Sequence, residues 1–240
     1  MPNVLPTSVA DDTIIQDDFL GNSAVADATL GSVGWELATI ANASTLTFLA
    51  SPNGVLRIAT NGTAQGDGVA ITTHPDGIVL VGGNQEFHFK VRYPNISGNI
   101  IATNNFRIGF GDLLTATDHT VGVWVNSLAG VVDLDGASTN GDKNTAAAGV
   151  STLTSGTTMV IGTWHKFRVI MDGTNTNGGP DRLRLFVDGE LAATINNFLL
   201  GSTETMEFGI VHWQLASGGD TLELDVDYIE ALLPRTTDAV

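Results

Sequence analysis

Three carboxylates alternate along the run ELDVDYIE near the end of the chain. Side chains two positions apart point to the same face of a strand, so Glu223, Asp225 and Asp227 are expected to project together, opposite the apolar residues of 222–228 and Tyr228. Retaining glycoside hydrolysis uses two carboxyl groups about 5 Å apart, which makes Glu223 and Asp225 a candidate catalytic pair. Alternating charge is more typical of a solvated strand face, and the sequence favours that interpretation.

A second group of oxygen-bearing side chains falls in the run DLDGASTNGDK, where Asp133, Asp135, Asn140 and Asp142 offer the hard ligands that calcium prefers. Residues 172–181 offer a similar set. Neither run has EF-hand spacing, and Asp, Asn and Gly are also the usual residues of turns. The sequence therefore predicts no cofactor, with calcium at the first run as the alternative.

Two of the four tryptophans, Trp124 and Trp213, alternate with the apolar residues of their own strands, which places them on an outer surface or under a loop. An aromatic ring there could stack on the apolar face of a sugar, so both are candidate carbohydrate-binding residues. Core packing is the commoner role of tryptophan, and a protein interface is the other use of an exposed ring.

Other catalytic and metal-binding signals are missing. The chain has no cysteine, and its five histidines show no ligand spacing, which argues against structural zinc. Neither a phosphate loop nor a nucleophile elbow is present. The sequence predicts a protein that is not an enzyme.

Composition limits the partners. With 10 basic and 26 acidic residues the formal net charge is −16, which repels nucleic-acid phosphate and anionic lipid. No stretch is apolar for the length of a membrane helix, and the first residues lack the basic and apolar regions of a secretion signal. We expect neither nucleic acid nor membrane as a partner.

The sequence predicts that the candidate site residues are positioned by β-strands. Residues 85–93 alternate apolar and polar side chains, and the same period of two recurs around Phe106, Val123 and Phe167. Residues 183–195 alternate on both sides of Asp188 and Gly189, a pair that favours a type I′ hairpin turn, with Leu191 expected to point inward. Short strands separated by turns predict an antiparallel two-sheet sandwich.

The strand led by Trp164, the polar loop after it and the run FVDGE resemble the concanavalin A-like and laminin G-like families, and Asp17 with residues 222–232 resembles their adjacent first and last strands. This resemblance implies a two-sheet antiparallel jelly-roll sandwich. The alternating core pattern falls within one domain at 13–233, flanked by an arm at 1–12 and a tail at 234–240 that are rich in Pro, Thr and Asp. In the jelly-roll glycosidases the third acid of the catalytic motif is Glu, whereas this chain has Asp227.

A jelly roll without a secretion signal or catalytic motif also resembles bacteriophage virion structural proteins. That resemblance implies a capsid decoration or cement protein, or a head-fibre or tail module, made in the host cytoplasm and placed on the outer surface of the virion. Its partners would be capsid or other virion proteins and copies of itself, for example in a trimer. The alternative is a carbohydrate-binding module with glycans as partners.

Overall fold

The computed structural model describes residues 12–19, 35–40, 44–49, 54–62, 64–73, 78–80, 82–96, 101–112, 120–138, 143–215 and 221–234. Every regular element within them is a β-strand. No helix fit to cross a membrane occurs among them. The sixteen strands of the described residues are β1 (Asp12–Asp17), β2 (Glu36–Thr39), β3 (Thr45–Phe48), β4 (Leu56–Ala59), β5 (Gly68–Thr72), β6 (Ile78–Val79), β7 (Gln85–Arg92), β8 (Asn104–Gly111), β9 (Gly122–Leu128), β10 (Val131–Ala137), β11 (Lys143–Ala147), β12 (His165–Asp172), β13 (Arg182–Val187), β14 (Glu190–Asn196), β15 (Thr205–Gln214) and β16 (Glu223–Pro234).

The strands form two antiparallel sheets. The first has the order β14-β13-β12-β7-β16-β4-β3, with β1 also paired to β16. The second has the order β11-β10-β9-β8-β15-β5-β2, with β6 also paired to β15. The predicted all-β, two-sheet antiparallel sandwich is therefore confirmed.

A layer of phenylalanine rings joins the sheets. On β7 the buried and half-buried residues alternate without a break, and Phe87 and Phe89 point inward with no exposed surface. Phe87 meets Phe110 of the second sheet edge-on at 5.7 Å between ring centroids, and Phe89 meets Phe106 in the same way at 6.2 Å. Such edge-to-face contacts add to the burial of apolar surface, so the two sheets are held by their inner faces.

The predicted hairpin between β13 and β14 is confirmed, with φ of 51° at Asp188 and 92° at Gly189. The Asp188 carboxylate accepts a hydrogen bond from the Lys166 amide at 2.8 Å. The prediction that Leu191 points inward is wrong, because its side chain is 54% exposed. A register shift at Leu185 changes the phase of β14 after the turn.

The first and last described strands pair as predicted, with Asp12 opposite Pro234 and Asp17 opposite Ile229. Asp12 and Pro234 are thus strand residues. The rest of the predicted arm and tail lies outside the described residues.

The titratable side chain of His212 is buried on the inner face of the second sheet. His212 on β15 has no exposed surface, and its Nε2 lies 2.7 Å from Asn104 Oδ1. Burial lowers the pKa of the imidazole from 6.5 to about 3. The native ring therefore stays neutral at pH values where an unfolded chain takes up a proton.

This difference predicts a pH-dependent stability. Between pH 7 and pH 5 the wild-type free energy of unfolding should fall by about 2 kcal/mol more than that of the His212→Gln variant, because only the unfolded wild type gains the proton. Urea denaturation at each pH measures both values. Equal pH slopes for the two proteins would contradict the neutral buried ring.

Candidate functional site

The tryptophans chosen from the sequence are buried. Trp124 is 0% and Trp213 is 5% exposed. Both lie on the outer side of the second sheet, as expected, but they flank the buried guanidinium of Arg107, whose Cζ is 5.4 Å from each ring centroid. Arg107 Nε donates to Asn126 Oδ1 at 2.7 Å. Neither indole offers an open face, so the expectation of an exposed stacking platform is corrected.

Two of the first set of candidate calcium ligands, Asp133 and Asp135, lie on β10 rather than in a loop. Asp135 on β10 is buried, and its Oδ2 accepts hydrogen bonds from Trp124 Nε1 at 3.1 Å and from the Asn126 amide. Burial and the charge of Asp135 raise the pKa of the neighbouring Asp133. Among the residues that the structure describes, no three His, Cys, Asp or Glu side chains converge as a metal site would require. Asn140 and Asp142 lie outside the described residues, so calcium at this run stays the alternative to the prediction of no cofactor.

The second candidate loop is organised by ion pairs and amides. Asp172 accepts from Arg182 Nε at 2.7 Å and also from Arg184. Asn175 donates to three backbone carbonyls, those of residues 180, 198 and 200. These contacts hold the loop that connects β12 to β13 in place.

Asp225 is not solvated, which corrects the expectation that Glu223, Asp225 and Asp227 form a solvated strand face. Asp225 is fully buried, with Oδ1 at 2.6 Å from Arg57 Nε and Oδ2 at 2.9 Å from Arg92 Nε. Arg57 also pairs with Glu223 at 2.8 Å, through Nη1. The cause is register, because β16 lies between β4 and β7, whose Arg57 and Arg92 stand directly opposite Asp225.

The ion pairs of Asp225 with Arg57 and Arg92 argue against Asp225 as a glycosidase carboxylate. Both oxygens of Asp225 accept hydrogen bonds from guanidinium groups, Oδ2 from Arg57 Nη2 at 3.0 Å as well. Burial raises the pKa of Glu223, Arg57 opposes that shift, and the charge of Asp225 adds to it. A retaining mechanism needs a carboxylate open to the substrate, and Asp225 has no exposed surface.

A bulge in β16 creates the one aromatic surface of this strand. The register shifts between Val226 and Tyr228, so Tyr228 points outward on the same side as Asp227, and Ile229 returns to the core. The sequence pattern placed Tyr228 on the opposite side from Asp227, and that prediction is wrong. Tyr228 is half-buried, and Lys166 Nζ lies 6.0 Å from its ring centroid.

Tyr228 stands in an open hollow of about 450 Å³ on the outer face of the first sheet. Burial, with the charges of Glu230 and Asp227, raises the pKa of its phenol to about 12, so the hydroxyl keeps its proton at neutral pH and is able to donate. The residues that line this first hollow are Gln16, Asp18, His88, Lys166, Asp227, Tyr228 and Glu230.

Basic side chains concentrate on the same face. Of the ten in the chain, seven lie on the outer side of the first sheet, namely Arg57, Lys90, Arg92, Lys166, Arg168, Arg182 and Arg184. Six of them pair with carboxylates of this face. Within the described part of the chain, only Lys166 of the seven has no carboxylate within 4 Å, and it opens onto the first hollow.

Trp164 is the one tryptophan that is not buried, whereas the sequence singled out Trp124 and Trp213. It is half-buried, with Arg92 Cζ at 4.6 Å and Lys90 Nζ at 5.2 Å from its ring centroid. Lys90 also reaches Asp227 Oδ2 at 2.6 Å, which links the ring to the hollow. Its position two residues before Lys166, in phase with the outward charges, was the signal available in the sequence.

The model of the SO2946-like, C-terminal domain family matches residues 51–180, just over half of the chain. No curated protein matches the chain in sequence. Many solved structures resemble this chain in fold, among them the following three. The first is SO2946 from Shewanella oneidensis MR-1, a protein of unknown function, with a TM-score of 0.63 and 15% identity over 98% of this chain and 92% of that one.

The second is an endo-β-1,4-glucuronan lyase from the fungus Trichoderma reesei, with a TM-score of 0.57 and 13% identity over 92% of this chain and 95% of that one. The third is the carbohydrate recognition domain of Emp47p, with a TM-score of 0.56 and 9% identity over 96% of this chain and 100% of that one. At these identities the likeness shows a shared jelly-roll fold.

The buried ion pair of Asp225 yields a stability prediction. Asp225→Asn should lower the free energy of unfolding by about 3 kcal/mol, because it leaves two guanidinium groups without their buried counter-charge. Glu86→Gln is the matched control, since its partner Arg168 is nearly half exposed, and it should cost below about 1 kcal/mol. Urea denaturation measures both, and equal losses would show that burial of Asp225 does not matter.

Proposed function

The chain belongs to the family of SO2946-like C-terminal domains, and on that premise we propose that it is a non-catalytic carbohydrate-binding module. Its binding surface is the outer face of the first sheet, centred on Tyr228. The observation that carries this proposal is the first hollow, where an aromatic ring stands among carboxylates, an amide and an ammonium group.

The chemistry of the hollow suits a sugar. The ring of Tyr228 can pack against the C–H face of a pyranose, as aromatic side chains do in ligand sites. Sugar hydroxyls both donate and accept, so Glu230 and Asp227 are able to accept from them while Lys166 and Gln16 donate to them. The hollow lies on four strands of one sheet, β1, β7, β12 and β16, which reduces the ordering cost of binding.

Two of the structures that share the fold support a glycan ligand rather than a capsid partner. Emp47p contributes a carbohydrate recognition domain, and the Trichoderma protein is a lyase of a polysaccharide. Neither these two proteins nor SO2946 is described as a virion component. The capsid decoration role, the oligomer and the virion location thus stay predictions, and the carbohydrate alternative is the function we prefer.

The absence of catalysis is part of the proposal. The strongest acid pair in the sequence is Glu223 and Asp225, and Asp225 is held by Arg57 and Arg92 without exposed surface. In the first hollow, Asp227 is engaged by Lys90. Asp225 and Asp227 are thus occupied by basic side chains, which favours a binding role over catalysis.

The test replaces the central ring. Wild-type protein should be retained by at least one member of a panel of immobilised cellulose, xylan, mannan, galactan, polygalacturonate and alginate. Tyr228→Ala should bind that polysaccharide about tenfold more weakly or worse, because it removes the stacking face of the first hollow. Affinity electrophoresis with the retained polysaccharide measures both constants.

Phe186→Ala is the matched control, since Phe186 is also a half-buried ring on the outer face but does not line the first hollow. It should bind as the wild type does. Retention of the wild type by no polysaccharide, or equal binding by Tyr228→Ala, would overturn the proposal. Release of reducing ends from the retained polysaccharide would refute its non-catalytic part.

A further inference from the structure

Resting on the proposed carbohydrate function, we infer that the ligand is an extended, uncharged polysaccharide chain that lies along β12 and β7 across three adjoining hollows. A ligand limited to one sugar ring would fill only the first of them.

Two further hollows continue the first along the outer face. The second, of about 430 Å³, is lined by Asn84, Gln85, Glu86, Arg168, Ile170, Arg184 and Leu232. The third, of about 520 Å³, is lined by Asn84, Asp172, Gly173, Asp181, Arg182, Arg184, Asn196 and Asn197. Because the second and third share Asn84 and Arg184, they form one trough.

The first and second hollows also adjoin. His88 lines the first and Glu86 the second, and His88 Nε2 lies 3.0 Å from Glu86 Oε1. On β12 the lining residues run from Lys166 through Arg168 to Asp172, a separation of six residues that spans about 20 Å. That length accommodates several linked sugar rings.

The charges of the trough argue for an uncharged chain. Arg168 is held by Glu86 at 2.9 Å, and Arg182 is held by Asp172 at 2.7 Å. Burial acts to raise the pKa of Asp172, but hydrogen bonds from Arg182 and Arg184 outweigh it and lower that pKa. These pairs therefore persist at neutral pH, and an anionic sugar would have to displace a carboxylate that belongs to the fold.

Long-range electrostatics agree with the local pairs. The net charge of −16 disfavours the approach of a polyanion. Paired carboxylates and guanidinium groups still present acceptors and donors side by side, and Asn84, Asn196 and Asn197 add amides that do both. Neutral hydroxyl groups match such a surface, and their binding carries little dependence on ionic strength.

The test uses oligosaccharides of two to six sugar units cut from the polysaccharide that the wild-type protein retains. Titration calorimetry should show at least about tenfold tighter binding of the hexasaccharide than of the disaccharide. Raising the salt from about 50 mM to about 500 mM should change the hexasaccharide affinity less than about twofold. Asn196→Ala, in the third hollow, should weaken the hexasaccharide and leave the disaccharide unchanged.

Asn95→Ala is the control, because Asn95 is exposed and lines none of the three hollows. Equal affinity for the two oligosaccharides would overturn the extended chain and leave the proposed function standing. A steep loss of affinity with salt would overturn the uncharged ligand alone. Retention by no polysaccharide at all would instead refute the proposed function.

Discussion

The phenylalanine layer between the sheets fixes the phase of the strands that carry the surface. Phe87 and Phe89 of β7 pack against rings of the second sheet, so the residues between them must face outward. Because side chains alternate with a period of two, a slip of one residue would bury His88 and Lys90 in an apolar core. The charged outer face is thus the direct consequence of the apolar inner one.

On that face, charge is balanced across strands rather than along them. The register puts Asp225 opposite both Arg57 and Arg92, and Asp227 beside Lys90. The surface remains nearly neutral in a strongly acidic chain, and its hydrogen-bonding groups are held in place by one another. The bulge of β16 then turns the ring of Tyr228 outward onto this surface.

The sequence predicts the regular parts of this arrangement well and the irregular parts poorly. Alternation around Phe87 and the Asp188–Gly189 turn follow local rules, and both are confirmed. Alternation could not show that Trp124 is buried, because a sheet can be covered on both faces. Alternation also could not show that Tyr228 points outward, since one extra residue in β16 reverses the phase of the strand. Nor could it predict the ion pair of Asp225 with Arg57, which lies 168 positions earlier in the chain.

The most direct measurement is the backbone amide NMR spectrum of the protein titrated with an oligosaccharide that it binds. If the outer face of the first sheet is the carbohydrate surface, the largest shift changes will fall on β7, β12 and β16, around His88, Lys166 and Tyr228. Changes centred instead on β9 and β15 of the second sheet, around Trp124 and Trp213, would contradict that assignment.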